Sequence, residues 1–241
     1  LPQVLDWLAE QQPDVLCLQE LKLEDKTFPL EAVQEAGYHA VYNGQKTYNG
    51  VAILSRSAAD EVIRDIPGLS DDQKRIIAAT INGVRIICGY FPNGQSLESD
   101  KFAYKMRWLE ALTAWVGEEI ERFPELVLTG DFNIAPGDRD AHPDWPHEIH
   151  VSAPERAAYS GLTELGLTDA FRLFDQPEQR FSWWDYRMGA FRRNLGLRID
   201  LILLTERLSQ KCVGCEIDTA PRKWQRPSDH APVLVDIAQT D

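Results

Sequence analysis

One stretch constrains the chain more than any other: Leu126-Val127-Leu128-Thr129-Gly130-Asp131-Phe132-Asn133-Ile134-Ala135-Pro136. An apolar run rich in β-formers stops at a glycine, and a carboxylate, a carboxamide and a proline follow. A buried strand ending this way delivers polar side chains to the rim of a sheet. Successive strand side chains alternate faces, so Asp131 and Asn133 are predicted to face one spot. Hard oxygen donors converging there suit a divalent cation. The same residues also describe a strand followed by an Asx turn, and the stretch alone leaves both readings open.

With 44% hydrophobic content, 241 residues can bury a sizeable core, as one large domain or two small ones. No linker, low-complexity tract or repeat is visible, so a single domain over 1–241 is predicted. No apolar run approaches the roughly 20 residues a membrane helix needs, and no secretory signal is visible. The formal net charge of −13 argues for solubility and against non-specific adhesion to polyanions. A local basic rim is compatible with that acidic body. Its candidates are Lys22, Lys46, Arg187, Arg192, Arg193, Lys223 and Arg226, each of which alone reads as a solvated charge. The four cysteines form no disulfide framework: Cys17 and Cys88 sit in apolar strand-like runs, and Cys212-x-x-Cys215 stands alone. A reducing, cytoplasmic compartment is the expectation.

Taken in order, Pro2–Gln12 reads as an amphipathic helix ended by Pro13, and Asp14–Gln19 as a buried strand with Glu20 at its end. A helix over Leu30–Ala36 finds its C-cap in Gly37. Strands are predicted at Tyr38–Asn43, Val51–Ser55 and Arg75–Ile81, the last turning through Asn82-Gly83 into Arg85–Phe91. A long helix covers Lys101–Arg122, and the opening stretch supplies a strand at Glu125–Thr129. A helix over Pro154–Leu165 follows, then a strand at Leu197–Leu204 with Asp200 in its middle, and a last strand at Val233–Ile237. Hairpins among helices exclude strict βαβ alternation and point to an α+β fold.

Several apolar strands share one design and end in a polar side chain: Glu20, Tyr90, Asp131 with Asn133, Asp200, and Asp229 with His230. Asp200 lies within Leu-Arg-Ile-Asp-Leu-Ile-Leu-Leu, where a lone carboxylate is costly to bury. It orients a histidine, pairs with a cation, or forms a salt bridge to Arg198 or another basic residue.

The order Leu-Gln-Glu (18–20), Tyr-Phe-Pro-Asn (90–93), Gly-Asp-Phe-Asn-Ile-Ala-Pro (130–136), Ser-Trp-Trp-Asp-Tyr-Arg (182–187), Gly-Leu-Arg-Ile-Asp (196–200) and Ser-Asp-His-Ala-Pro-Val (228–233) resembles the exonuclease III/AP endonuclease family, within the endonuclease–exonuclease–phosphatase superfamily. The resemblance covers essentially the whole chain. It implies a deoxyribonuclease I-like, four-layer α/β sandwich of two packed mixed sheets flanked by helices. It also implies phosphodiester hydrolysis with Mg²⁺ or Mn²⁺, in base excision repair and 3′-end processing. The substrate is double-stranded DNA with abasic sites or 3′ ends, met by a monomer with no membrane partner. The resemblance makes Glu20 and Asp229 metal-site carboxylates, Asp131 the base that activates water, and Asn133 its neighbour at the phosphate and metal. His230 contacts the phosphate beside the metal, and Asp200 orients it. Tyr90 is an active-site phenol. Asn93, Lys46 and Arg187 meet the substrate, and Trp183, Leu197 and Ile199 line a pocket for a base-less deoxyribose.

Two departures carry expectations of their own. The family opens with a strand bearing an Asn near the metal, whereas Leu1 already lies in the helix that follows. The chain is therefore expected to be truncated, and poorly folded or weakly active by itself. The segment His147-Glu148-Ile149-His150 is one residue short of the H-E-x-x-H zinc pattern, which excludes zinc. His150 is read instead as a bulky group that obstructs an internal abasic site. The rival functions are another phosphoesterase of the superfamily, acting on a phosphoinositide or sphingolipid, and a non-catalytic DNA-binding relative.

Overall fold

The computed structural model describes residues 1–238. Its elements are α1 (Pro2–Gln11), β1 (Val15–Leu18), α2 (Leu30–Glu35), β2 (His39–Asn43), β3 (Val51–Ser55), β4 (Asp60–Arg64), β5 (Ile76–Ile81), β6 (Val84–Tyr90), α3 (Asp100–Arg122), β7 (Leu126–Asp131), α4 (Ala153–Glu164), β8 (Thr168–Asp169), α5 (Ala190–Arg193), β9 (Asp200–Leu204), α6 (Glu206–Ser209), β10 (Cys212–Ile217) and β11 (Val233–Ile237). They fall into two compact units, Leu1–Tyr90 with Leu126–Gly130, and Phe91–Glu125 with the residues from Asp131 on. Among the described residues no helix is long and apolar enough to cross a membrane.

In the first unit a three-stranded antiparallel sheet runs β1-β3-β2. The fully buried β3 lies at its centre, and β1 is an edge strand, so β1 is half-buried where a buried strand was expected. Leu8 of α1 and Val33 of α2 pack with Tyr38, Ala52 and Leu54 into one core. The remaining strands neighbour one another in the order β4-β5-β6-β7. The β5–β6 hairpin pairs Ile81 with Val84. Asn82 (φ 49°) and Gly83 (φ 83°) both take the left-handed region that a two-residue primed turn requires. β4 was not predicted: its Asp-Glu-Val-Ile-Arg sequence mixes charge into a strand at the sheet edge, where solvent accepts it. Gly130 has φ 140°, and a Cβ there would stand 1.9 Å from the Gly89 carbonyl oxygen. The neighbouring strand therefore tolerates only glycine before Asp131.

The second unit is built on α3, whose N-cap Ser99 accepts from Phe102 N at 3.1 Å and starts the helix one residue before the predicted Lys101. Trp108, Leu109, Leu112, Trp115 and Val116 form its buried face. α4 begins with a capping box in which Ser152 and Glu155 satisfy each other's ends. β8 pairs with β9, and β10 with β11, both antiparallel. The Cys-x-x-Cys segment lies on β10, and all four cysteines are free thiols. The strand predicted from Leu197 begins only at Asp200. Ahead of it Leu197 bridges to Trp183 and Ala141, and Arg198 N donates to Asp140 O at 2.8 Å. Asp200 therefore opens the strand and does not sit in its middle.

Candidate active site

Asp131 is the last residue of β7 and is 4% exposed. Asn133 follows with φ 50°, outside the strand. Its backbone N–H donates to Asp131 Oδ1 at 2.9 Å, and its Nδ2 donates to Asp131 Oδ2 at 3.1 Å. The two side chains do meet, but through an Asx turn and not by the alternation of a pleat. The turn and the convergence, offered by the sequence as alternatives, are one geometry. Between them Phe132 is buried, stacks on Phe91 at 4.2 Å and donates its N–H to Ile199 O at 2.8 Å. Asn133 Nδ2 also reaches Phe91 O at 3.0 Å, and Asn133 Oδ1 accepts from Asn93 Nδ2 at 3.2 Å.

Asp200 meets His230, whose Nδ1 lies 2.9 and 3.0 Å from its two carboxylate oxygens. The salt bridge to Arg198 that the sequence also allowed does not form: Arg198 is 1% exposed and pairs with Asp140 and Asp169. Ser182 Oγ accepts from the N–H groups of Ile199 and Asp200 at 3.1 and 3.0 Å, which fixes the start of β9. His230 Nε2 faces Asp131 Oδ2 at 3.9 Å. Burial opposes a charged imidazole here, but the carboxylates of Asp200, Asp131 and Asp229 outweigh it and raise the pKa to about 10. Asp229 accepts from Trp183 Nε1 at 2.9 Å on Oδ2, and its backbone oxygen accepts from Trp184 N.

In the first unit Glu20 has φ 54° just past β1, and Tyr90 OH donates to its Oε1 at 2.8 Å. Lys22 pairs with the other oxygen at 2.6 Å. Arg75 lies over the Tyr90 ring, 5.0 Å from its centroid, and donates to Tyr90 O. Lys46 is exposed in the 44–50 loop.

The substrate candidates of the second unit divide. Leu197 and Ile199 are buried and cluster with Ala135, with Trp145 and half-buried Trp183 packed against them. Asn93 is exposed. Arg187 is bound into a forked pair with Asp185 two residues away, which holds the Asp185 carboxyl below its usual pKa. His150 is 6% exposed, with Nδ1 2.7 Å from Asn133 O, so it is an interior group against Asn133 and not a side chain standing in solvent. Sequence reasoning missed Lys105 and Glu155, a fully buried ion pair beside Asn133. A signal existed: Lys105 lies four residues before Leu109 on the apolar face of its helix.

This chain matches the Endonuclease/Exonuclease/phosphatase family over residues 2–230 and belongs to it. It is 37% identical over 252 residues to exodeoxyribonuclease III of Haemophilus influenzae, covering 98% of this chain and 94% of that protein. Among solved structures, the 3′ phosphatase NExo from Neisseria bound to a product DNA hairpin is 47% identical with a TM-score of 0.96, over 99% of this chain and 94% of that one. An AP endonuclease from Archaeoglobus fulgidus is 38% identical with a TM-score of 0.92, over 97% and 92%. The fold is accordingly the α+β sandwich of the deoxyribonuclease I type.

Proposed function

We propose that the chain is a DNA repair nuclease that hydrolyses phosphodiesters with a divalent metal, as a 3′–5′ exodeoxyribonuclease, an AP endonuclease or both. The observation that carries the chemistry is the line Asp200, His230, Asp131, with Asn133 locked to the last. The names of the relatives support the substrate.

His230, whose pKa the Asp200 carboxylate raises against burial, gives its Nδ1–H to Asp200 and turns Nε2 toward the side of Asp131. A cationic donor there stabilises charge on a phosphate oxygen as the bond breaks. With Nδ1 taken by Asp200, Nε2 is the nitrogen left over, and it is assigned to the phosphate beside the metal. Asp131 is the base that removes a proton from the attacking water. Asn133 fixes the rotamer of that carboxylate by binding both of its oxygens. Tyr90, Asn93 and Trp183 are assigned to the substrate.

The donors suit a hard cation: Asp131 and Asp229 offer carboxylate oxygens and no thiol competes among them. These two would hold Mg²⁺ or Mn²⁺, and the family resemblance makes Glu20 of the first unit a metal-site carboxylate as well. Such an ion, when bound, neutralises phosphate charge and lowers the barrier to attack by an anionic nucleophile. The proposal extends to a cytoplasmic monomer, which four reduced cysteines support only as to compartment.

The test uses two labelled duplexes, one with a recessed 3′ end and one with an abasic site, each in Mg²⁺ and in EDTA. Cleavage of at least one, abolished by EDTA and restored by added Mg²⁺, is the expected result. Cleavage undiminished in EDTA, or none of either duplex, would overturn the reading.

A further inference from the structure

Lys105 and Glu155 are both fully buried, with Nζ 2.5 Å from Oε1. Removing two such ions from water costs several kcal/mol each, and an apolar pair of similar volume is often at least as stable. A leucine or methionine at 105 would continue the apolar stripe of α3. Stability therefore gives no reason for an ammonium at this position.

The other bonds of Lys105 supply one. Nζ donates to Asn133 O at 2.7 Å and to Asn93 O at 3.3 Å. Its stem is confined as well, because a Cβ on Gly94 would lie 3.1 Å from Lys105 Cδ. The Asn133 carbonyl also faces His150 Nδ1 at 2.7 Å. A carbonyl only accepts, so that nitrogen carries the proton. Burial, followed by the charge of Lys105, lowers the His150 pKa to about 4, so the ring is neutral and Nε2 presents a lone pair. Asn93 Nδ2 approaches that lone pair at 3.5 Å and Asn133 Oδ1 at 3.2 Å. Asn133 itself has φ 50°, in the left-handed region, which Asn enters more readily than other residues with a Cβ. Two donors on its carbonyl fix the peptide plane in that conformation. The direction of the Asn133 side chain, and with it the grip on Asp131, follows from the plane.

We propose that Lys105 is a positioning residue for the hydrolytic site: with Glu155 as its counter-ion, it pins the Asn133 carbonyl so that the Asn133 side chain holds Asp131 in its working rotamer. This rests on the assignment of Asp131 as the base. Lys105 acts through Asn133 and touches neither substrate nor reacting atoms.

The experiment is steady-state kinetics of the full chain on a recessed 3′ duplex in Mg²⁺, with thermal unfolding in parallel. The double variant Lys105→Met/Glu155→Leu removes both ions together and leaves no buried charge unpaired. The expected result is a folded protein whose kcat falls about 10- to 100-fold, the scale of a small misplacement in a catalytic group. KM stays within about twofold, since no contact to DNA is removed. A folded double variant with wild-type kcat would overturn the proposal. If the double variant does not fold, Glu155→Gln decides, because it leaves Lys105 on the Asn133 carbonyl. Its kcat is then expected within about threefold of wild type even where its stability drops, and a tenfold or greater loss would overturn the proposal. Asp131→Asn is measured beside them. Full activity there removes the underlying assignment, whereas an inactive Asp131→Asn beside a fully active double variant removes the positioning role alone.

Discussion

Asp200 takes the Nδ1–H of His230 between its two carboxylate oxygens, at 2.9 and 3.0 Å. That bond decides which nitrogen of the ring is left for the substrate. It also decides the charge of the ring, since burial alone would drive His230 neutral and the surrounding carboxylates reverse it. Asp200 is in turn fixed at its backbone by Ser182, so the orientation of His230 is inherited from the Ser182-Trp183-Trp184 segment.

Asp200→Asn keeps the shape and removes the charge. Its kcat at pH 7.5 is expected to fall about 10²- to 10³-fold, in the range seen when one transition-state donor is lost. NMR titration of the His230 ring is expected to give a pKa well below the native value of about 10. A ring that still titrates near 10 in the variant would show that Asp200 does not hold the charge.

Arg198→Met breaks a buried charge cluster of the second unit. Arg198 bonds Asp140 at 2.6 Å and Asp169 at 2.7 Å, and its removal leaves buried carboxylates without that partner. The expected loss of stability is about 3–5 kcal/mol by urea unfolding. A loss below about 1 kcal/mol would mean that Arg172, which also meets Asp140, suffices for the cluster.

His150 gives the stability of the protein an acid limb. Its folded pKa of about 4 lies below the ordinary 6.5, because burial and the nearby charge of Lys105 penalise the imidazolium against weaker help from Glu155, with His147 adding a further penalty. A group depressed in this way binds its proton more readily in the unfolded chain. Its contribution is fully present above pH 6.5 and is lost as pH falls toward 4. The loss is on the order of 3 kcal/mol, at about 1.4 kcal/mol per pKa unit. His150→Gln can still donate to Asn133 O and does not titrate. Chemical denaturation at pH 7 and pH 4.5 is expected to show a smaller acid loss in the variant, and equal losses would contradict the burial of a neutral ring.

Which parts were legible in the sequence follows from where the information is local. The hairpin at Asn82-Gly83 and the buried β3 were readable because turn chemistry and apolar runs act within a few residues. An isolated carboxylate in an apolar strand demanded a partner for Asp200, but only the family resemblance named His230 as that partner, and the strand proved to start at Asp200. Asp131 and Asn133 were brought together for a partly wrong reason: strand alternation was invoked where a left-handed Asn133 makes an Asx turn. Arg198 was weighed as a partner for Asp200 because sequence shows proximity along the chain, whereas its partners Asp140 and Asp169 are supplied by folding. Lys105 and Glu155 lie fifty residues apart, and no local pattern couples them. β4 was hidden by its charges and by its short, irregular pairing.

The most direct measurement is the single-turnover hydrolysis rate of a recessed 3′ duplex by Asp131→Asn against wild type in saturating Mg²⁺, with DNA binding followed by fluorescence anisotropy in EDTA. With Asp131 as the base, the rate falls about 10²- to 10⁴-fold while binding changes little. A variant that cleaves within about tenfold of the wild-type rate would contradict that role for Asp131 and the arrangement built around it.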